Sequence, residues 1–149
     1  MMLPRPNGSI PRTTVEQLVE IIWTEATSRP IVVLAIADEA LRTECRRRLL
    51  RSLFTVVEPP FGELPSESSG AFPPDVLLVD VRSPEDNGWG VVRKLREDPR
   101  THDVPVVALV VQPEGADLWW ARRLRVARLL PVPWEGDELL TAIEGVMLG

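Results

Sequence analysis

Short apolar runs alternate with amphipathic segments along most of the chain. Strand-like runs are IVVLAIA at 31–37, FTVVE at 54–58, DVLLVD at 75–80, PVVALVV at 105–111 and RLLPV at 128–132. Several of them are continuously apolar and rich in β-branched residues, which is typical of strands covered on both faces of a parallel sheet. Helical spacing of apolar residues predicts helices over 38–53, 88–97, 114–128 and 136–148.

This alternation predicts an α/β domain with a five-stranded parallel sheet and helices on both faces. Five strands fit the flavodoxin-like order 2-1-3-4-5. In such sheets, functional sites lie at the carboxyl ends of the strands. Asp80 ends the third predicted strand, so it is the first candidate for a functional side chain.

Two segments depart from the regular alternation. Residues 59–74 read PPFGELPSESSGAFPP, and their five prolines predict an irregular or missing second helix. At the other end, prolines and a glycine in 1–12 predict a flexible arm, and the apolar spacing in 13–29 predicts an extra N-terminal amphipathic helix. That helix either packs where the second helix is missing or pairs with another subunit. The main domain is expected to cover 30–149.

Composition narrows the functional classes. The net charge of −5 argues against a nucleic-acid partner, and no apolar stretch is long enough for a membrane helix. The single cysteine, Cys45, cannot form an internal disulfide and is expected to be buried on a helix. The single histidine, His102, lies in a polar turn, and no second histidine or cysteine is near it in the sequence. We therefore expect a cytoplasmic protein with no metal, no cofactor and no catalytic residues.

One stretch carries a recognisable motif. Residues 74–111 hold an apolar strand ending in Asp80, then Pro84 and Gly88, an amphipathic helix, and Pro105 before the next apolar strand. This pattern resembles the receiver domain of bacterial response regulators, and Pro133 matches a further loop proline of that family. The resemblance covers about residues 31–147. It implies that Asp80 stands at the position that accepts a phosphoryl group.

The other residues that a working receiver needs are replaced by apolar ones. The resemblance places the acidic, magnesium-binding pair at Ile36 and Ala37, the hydroxyl residue at Val110, the switch aromatic at Leu129 and the phosphate-pairing lysine at Val132. Asp38 comes one residue too late for the acidic pair. Phosphoryl transfer depends on electrostatic stabilisation of a spread negative charge, and these replacements remove most of it.

We therefore interpret the chain as a degenerate pseudo-receiver, which is not an enzyme and acts in signal transduction by binding a protein partner or a second copy. Asp80 then accepts backbone N–H groups of the following loop, keeps some phosphoacceptor function, or helps to bind another ligand. A second hypothesis is an atypical phosphoacceptor of a phosphorelay, in which Asp38 or Glu39 binds the metal. A third is a flavodoxin-like binder of a small ligand.

A possible interface lies on the helix predicted over 114–128. Trp119 and Trp120 are adjacent there, so their side chains point about 100° apart on a helix. We expect one indole to pack in the core and the other to lie at an interface, where exposed tryptophan is enriched. In the resembled family, the helix after the fourth strand, the fifth strand and the last helix form the usual contact face.

Overall fold

The sheet has the predicted number of strands, direction and order. The computed structural model describes Val15, Gln17 and residues 29–65 and 72–148. Its strands are β1 (Ile31–Ala35), β2 (Thr55–Val57), β3 (Val76–Asp80), β4 (Val106–Val110) and β5 (Arg128–Pro131). All pairings are parallel, and the order is β2-β1-β3-β4-β5. The fold class predicted from the apolar runs is therefore confirmed.

Four helices lie within the described residues, of which the first three connect strands and the last follows β5. They are α1 (Glu39–Arg51), α2 (Gly88–Glu97), α3 (Ala116–Arg123) and α4 (Glu138–Leu148), and a short 3-10 turn spans Pro84–Asp86. The helix predicted over 114–128 is shorter than expected. It ends at Arg123 because Leu124 caps it and Arg125 adopts a left-handed backbone with φ of 56°.

The sheet separates two apolar cores. On one face, α1 and α4 cover Val32, Leu34, Leu78 and Leu109, and Cys45 is fully buried there as predicted. On the other face, α2 and α3 cover the alternate strand residues, such as Leu77 and Val79. Since the central strands are buried on both sides, their continuous apolar runs follow directly from this layering.

The connection between β2 and β3 contains no helix in its described parts, 58–65 and 72–75. Phe61 and Leu64 instead pack against the core under α2. Lys94 of α2 donates a hydrogen bond to the Gly62 carbonyl over 2.7 Å and fixes this loop. The prediction of an irregular connection agrees with these residues.

The predicted arm over 1–12 lies outside the described residues. So does the N-terminal helix over 13–29, apart from Val15 and Gln17, which are helical, and Arg29. None of the helices in the described part of the chain is long and apolar enough to cross a membrane.

Arg96 ties the ends of three elements together. Its guanidinium donates to four main-chain carbonyl oxygens, those of Leu124, His102, Val104 and Arg125, at 2.6–3.2 Å. Burial lowers the pKa of Arg96, and the nearby Arg125 charge lowers it further. The contacts join α2, the loop before β4 and the turn after α3 through one side chain.

Candidate functional site

Asp80 lies at the carboxyl end of the central strand, with β1 and β4 on either side. Its side chain is only 6% exposed. The alternation along β3 puts Asp80 on the same face as Val76 and Leu78, at the edge of the core covered by α1 and α4. A carboxylate at this depth needs hydrogen-bond partners or a counter-ion.

Arg82 supplies both. Its backbone N–H donates to Asp80 Oδ1 over 3.0 Å, which closes the turn that the sequence predicted as one role for Asp80. Its guanidinium then reaches back over the same carboxylate, with Nε 2.9 Å from Oδ1 and the terminal nitrogen 3.0 Å from Oδ2. Both carboxylate oxygens are therefore engaged by one side chain. The hydrogen bonds to Asp80 raise the pKa of Arg82.

Asp38 approaches this pair but has another principal role. Its Oδ1 accepts the backbone N–H of Leu41 over 3.0 Å and so caps the first turn of α1. Its Oδ2 lies 3.5 Å from the Arg82 guanidinium. The Leu41 hydrogen bond, followed by the Arg82 charge, lowers the pKa of Asp38. Arg82 thus lies between two carboxylates.

The other residues proposed for the site lie in the apolar cores. Ile36 is 2% exposed and packs in the core under α1 and α4, with Val132 against it. Val110 is fully buried on the opposite face, where Leu129 packs. Ala37 is half-buried and lies two residues beyond the end of β1. None of these five side chains carries an atom that binds a cation or a phosphoryl oxygen.

Position 88 requires a glycine, because its backbone lies too close to Asp80 for a side chain to fit. A Cβ built on Gly88 would overlap the Asp80 carbonyl oxygen and touch Val81. The start of α2 can therefore approach the strand end only if this residue has no side chain. The glycine of the motif thus fixes the loop that carries Arg82.

No family model matches the chain. Protein PilH from Pseudomonas aeruginosa is 32% identical over 76 residues, which make up 51% of this chain and 63% of PilH. Response regulator PleD from Caulobacter vibrioides is 47% identical over 36 residues, or 8% of PleD. The chain thus spans less than two thirds of these curated relatives.

Solved structures match over more of the chain. Chemotaxis protein CheY4 from Vibrio cholerae has a TM-score of 0.71 at 17% identity, covering 80% of this chain and 99% of CheY4. The receiver domain of HemR from Leptospira biflexa has a TM-score of 0.67 at 22% identity, covering 80% and 94%. A sensor-kinase receiver domain from Pseudomonas aeruginosa, solved with magnesium in its active-site cleft, has a TM-score of 0.69 at 19% identity, covering 82% and 100%. The chain has the fold of a receiver domain.

The residues present do not fit the magnesium ion that the receiver fold implies. Magnesium prefers several oxygen ligands in octahedral geometry. Here Asp80 is bonded to a guanidinium, Ile36 and Ala37 offer no side-chain oxygen, and Asp38 caps a helix. Within the described ranges, no group of three or more His, Cys, Asp or Glu side chains could hold a metal ion.

Sequence reasoning missed Arg82, the residue that determines the chemistry of this receiver-like site. No hydrophobic periodicity indicates this contact, but a physical argument from the sequence does. A buried carboxylate without a metal needs a positive partner, and Arg82 is the only cationic residue in the sequence between Asp80 and the start of α2.

The two predicted interface tryptophans have different environments. Trp119 is 55% exposed, whereas Trp120 is half-buried and packs against the core under α2 and α3. Their rings meet edge to face, with centroids 4.8 Å apart. Trp89, which the sequence reasoning did not single out, stacks on Trp120 at 6.3 Å and donates its indole N–H to Asp117. Trp120 therefore faces α2.

Proposed function

We propose that the chain is a pseudo-receiver, a receiver-like module that binds a protein partner in a cytoplasmic signalling assembly without being switched by phosphorylation. It is proposed to need no metal or cofactor and to catalyse no reaction. The observation that carries the proposal is the two-oxygen contact between Arg82 and Asp80.

Two features of the site oppose phosphoryl transfer, the contact between Arg82 and Asp80 and the apolar side chains around it. A carboxylate must present a free oxygen to attack phosphorus, and each charge-assisted hydrogen bond that must be broken first costs about 1.5–3 kcal/mol. In addition, Val110 and Val132 cannot stabilise the charge of the transferring group. Loss of one such donor typically costs about 2.7–4 kcal/mol of transition-state stabilisation.

A second candidate, the atypical phosphoacceptor, is favoured by one observation. Asp38 Oδ2 lies 3.5 Å from the Arg82 guanidinium. If Arg82 turned towards solvent, the carboxylates of Asp38 and Asp80 would line the same edge of the sheet. A cation could then take the place of the guanidinium.

Phosphorylation separates the two candidates. The protein is incubated with magnesium and acetyl phosphate, and its intact mass is followed over time. The pseudo-receiver predicts no added phosphoryl group on the wild type. A mass increase that is absent in Asp80→Asn would overturn the proposal.

A restored variant serves as the positive control. Ala37→Asp, Val110→Thr and Val132→Lys return one acid of the magnesium-binding pair, the hydroxyl and the lysine that the resemblance requires, and Arg82→Asn in the same variant removes the guanidinium from Asp80. Circular dichroism first establishes that this variant is folded. Phosphorylation of the restored variant but not of the wild type would assign the inactivity to these side chains.

A further inference from the structure

Five residues form a continuous surface across α2 and α3, which we name the arginine–tryptophan face: Trp89, Arg93, Trp119, Trp120 and Arg123. The guanidinium carbon of Arg123 lies 5.5 Å from the Trp119 ring centre, and that of Arg93 lies 5.9 Å from the Trp120 ring centre. The three indoles contact one another in sequence. The face thus presents two fixed cations beside an exposed aromatic ring.

These two arginines differ from six other arginines in the described residues, which form ion pairs with carboxylates. Arg42 and Arg46 pair with Glu58, Arg47 and Arg48 with Glu44, Arg82 with Asp80, and Arg100 with Asp98. Neither Arg93 nor Arg123 forms an ion pair with any residue in the described ranges, and both are exposed. Each is held on a tryptophan ring, which leaves its N–H groups free to donate outward.

The free donors indicate the chemistry of the partner. A guanidinium binds a carboxylate through two parallel hydrogen bonds, and an exposed indole provides a large apolar anchor. The net charge of −5 does not prevent this, because charges beyond a Debye length of about 8–10 Å are screened at ordinary salt. A long polyanion such as a nucleic acid would extend over the acidic remainder of the surface and is disfavoured.

We infer that the arginine–tryptophan face binds an acidic peptide segment of a partner protein, with an apolar side chain against Trp119 and carboxylates on Arg93 and Arg123. The surface is formed by α2 and α3 and does not require β5 or α4. The inference rests on the proposed interaction role of the module. It adds the location of the contact and the chemistry of the partner.

Selection from a random peptide library displayed on phage tests the inference without choosing a ligand in advance. The wild type should enrich peptides that combine Asp or Glu with Leu, Phe or Trp. Synthetic versions should bind the Trp119→Ala/Arg123→Gln variant about tenfold or more weakly, since buried aromatic and arginine anchors dominate such contacts. Added salt should weaken binding to the wild type.

A second variant provides the matched control. Val111→Ala/Arg128→Gln removes an exposed apolar side chain and an exposed arginine from positions outside α2 and α3. It should bind the selected peptides as the wild type does. The inference is overturned if no acidic consensus appears, or if acidic peptides bind the Trp119→Ala/Arg123→Gln variant equally well.

The same proteins test two other possible occupants of the arginine–tryptophan face, a second copy of the chain and a nucleic acid. Sedimentation reveals whether the wild type forms a dimer that Trp119→Ala disrupts, and a fluorescent single-stranded oligonucleotide reveals nucleic-acid binding to the face. Either result would overturn the peptide inference. Phosphorylation of Asp80 would instead overturn only the proposed function, because the peptide measurements do not involve that residue.

Discussion

Removing the Arg82 guanidinium should destabilise the protein more than removing its partner charge. Arg82→Met leaves a carboxylate that is 6% exposed with only a backbone N–H to satisfy it. Loss of one partner from a buried pair costs about 3–5 kcal/mol. Because the Arg82 side chain is 26% exposed, we expect Arg82→Met to lower the free energy of unfolding by a smaller amount, about 2–4 kcal/mol. Asp80→Asn should cost less, since the freed guanidinium can turn to solvent and to Asp38.

A double-mutant cycle isolates the pair itself. Arg82→Met removes two charge-assisted hydrogen bonds, and we expect a coupling energy with Asp80→Asn of about 1.5–3 kcal/mol. The free energy of unfolding is measured by urea titration with tryptophan fluorescence. The same cycle in 1 M salt should retain most of the coupling, because buried pairs are screened less than exposed ones.

The chain contains a matched control for this cycle. Arg100 contacts Asp98 with the same two-residue spacing and the same pattern, a backbone N–H and Nε on Oδ1 and a terminal nitrogen on Oδ2. The Arg100 side chain is 56% exposed, so its coupling should be only about 0.2–1 kcal/mol. A coupling between Asp80 and Arg82 no larger than that between Asp98 and Arg100 would refute the reasoning.

Three further predictions concern positions away from the guanidinium. Gly88→Ala should lower the free energy of unfolding by about 1–3 kcal/mol in urea titrations, because the added Cβ overlaps the Asp80 carbonyl oxygen. Gly145→Ala in α4, where a Cβ meets open space, should instead raise it by about 0.5–1 kcal/mol. Equal effects of the two substitutions would contradict this account. Arg96→Lys should lower stability by about 1–3 kcal/mol, since one ammonium cannot reach four separated carbonyl oxygens; an unchanged urea midpoint would refute it. Burial raises the pKa of Cys45 to about 12, so the thiol should resist Ellman's reagent at pH 8 until the protein unfolds. The free energy of unfolding should fall as the pH rises from about 9 towards 12, because the thiol of the unfolded chain ionises first. Rapid labelling of the native protein, or the same alkaline loss of stability in Cys45→Ala, would contradict this prediction.

The sheet could be predicted because its signal is local and continuous. The runs that became β3 and β4 are buried along their whole length, so almost every residue carries the same information. The segment that became β5 was also identified, although it is partly exposed, because it follows the same alternation. The strand order came from the fit of five alternating strands to the flavodoxin-like arrangement rather than from any single residue.

Helix ends were less predictable. The helix predicted to 128 ends at Arg123, because Arg125 takes a left-handed conformation that arginine rarely adopts. Hydrogen bonds from Arg96 to the carbonyl oxygens of Leu124 and Arg125 hold this turn. These contacts come from a helix far away in the sequence, so no local pattern contains them.

The candidate site was predicted in part. Asp80 and the apolar replacements, such as Ile36, follow from the motif, but the Arg82 contact depends on the path of a loop that turns its side chain back by two residues. The same limit applies to Trp89. Its stacking on Trp120 joins two helices, and helical periodicity describes only one helix at a time.

Metal binding at Asp80 tests the central claim most directly. The backbone amide spectrum of the ¹⁵N-labelled protein is recorded while manganese, a paramagnetic substitute for magnesium, is added. Because Arg82 already neutralises the carboxylate, we predict no saturable, selective broadening of the amides near Ile36, Asp80 and Arg82. Selective broadening there, reversed by excess magnesium, would contradict the account.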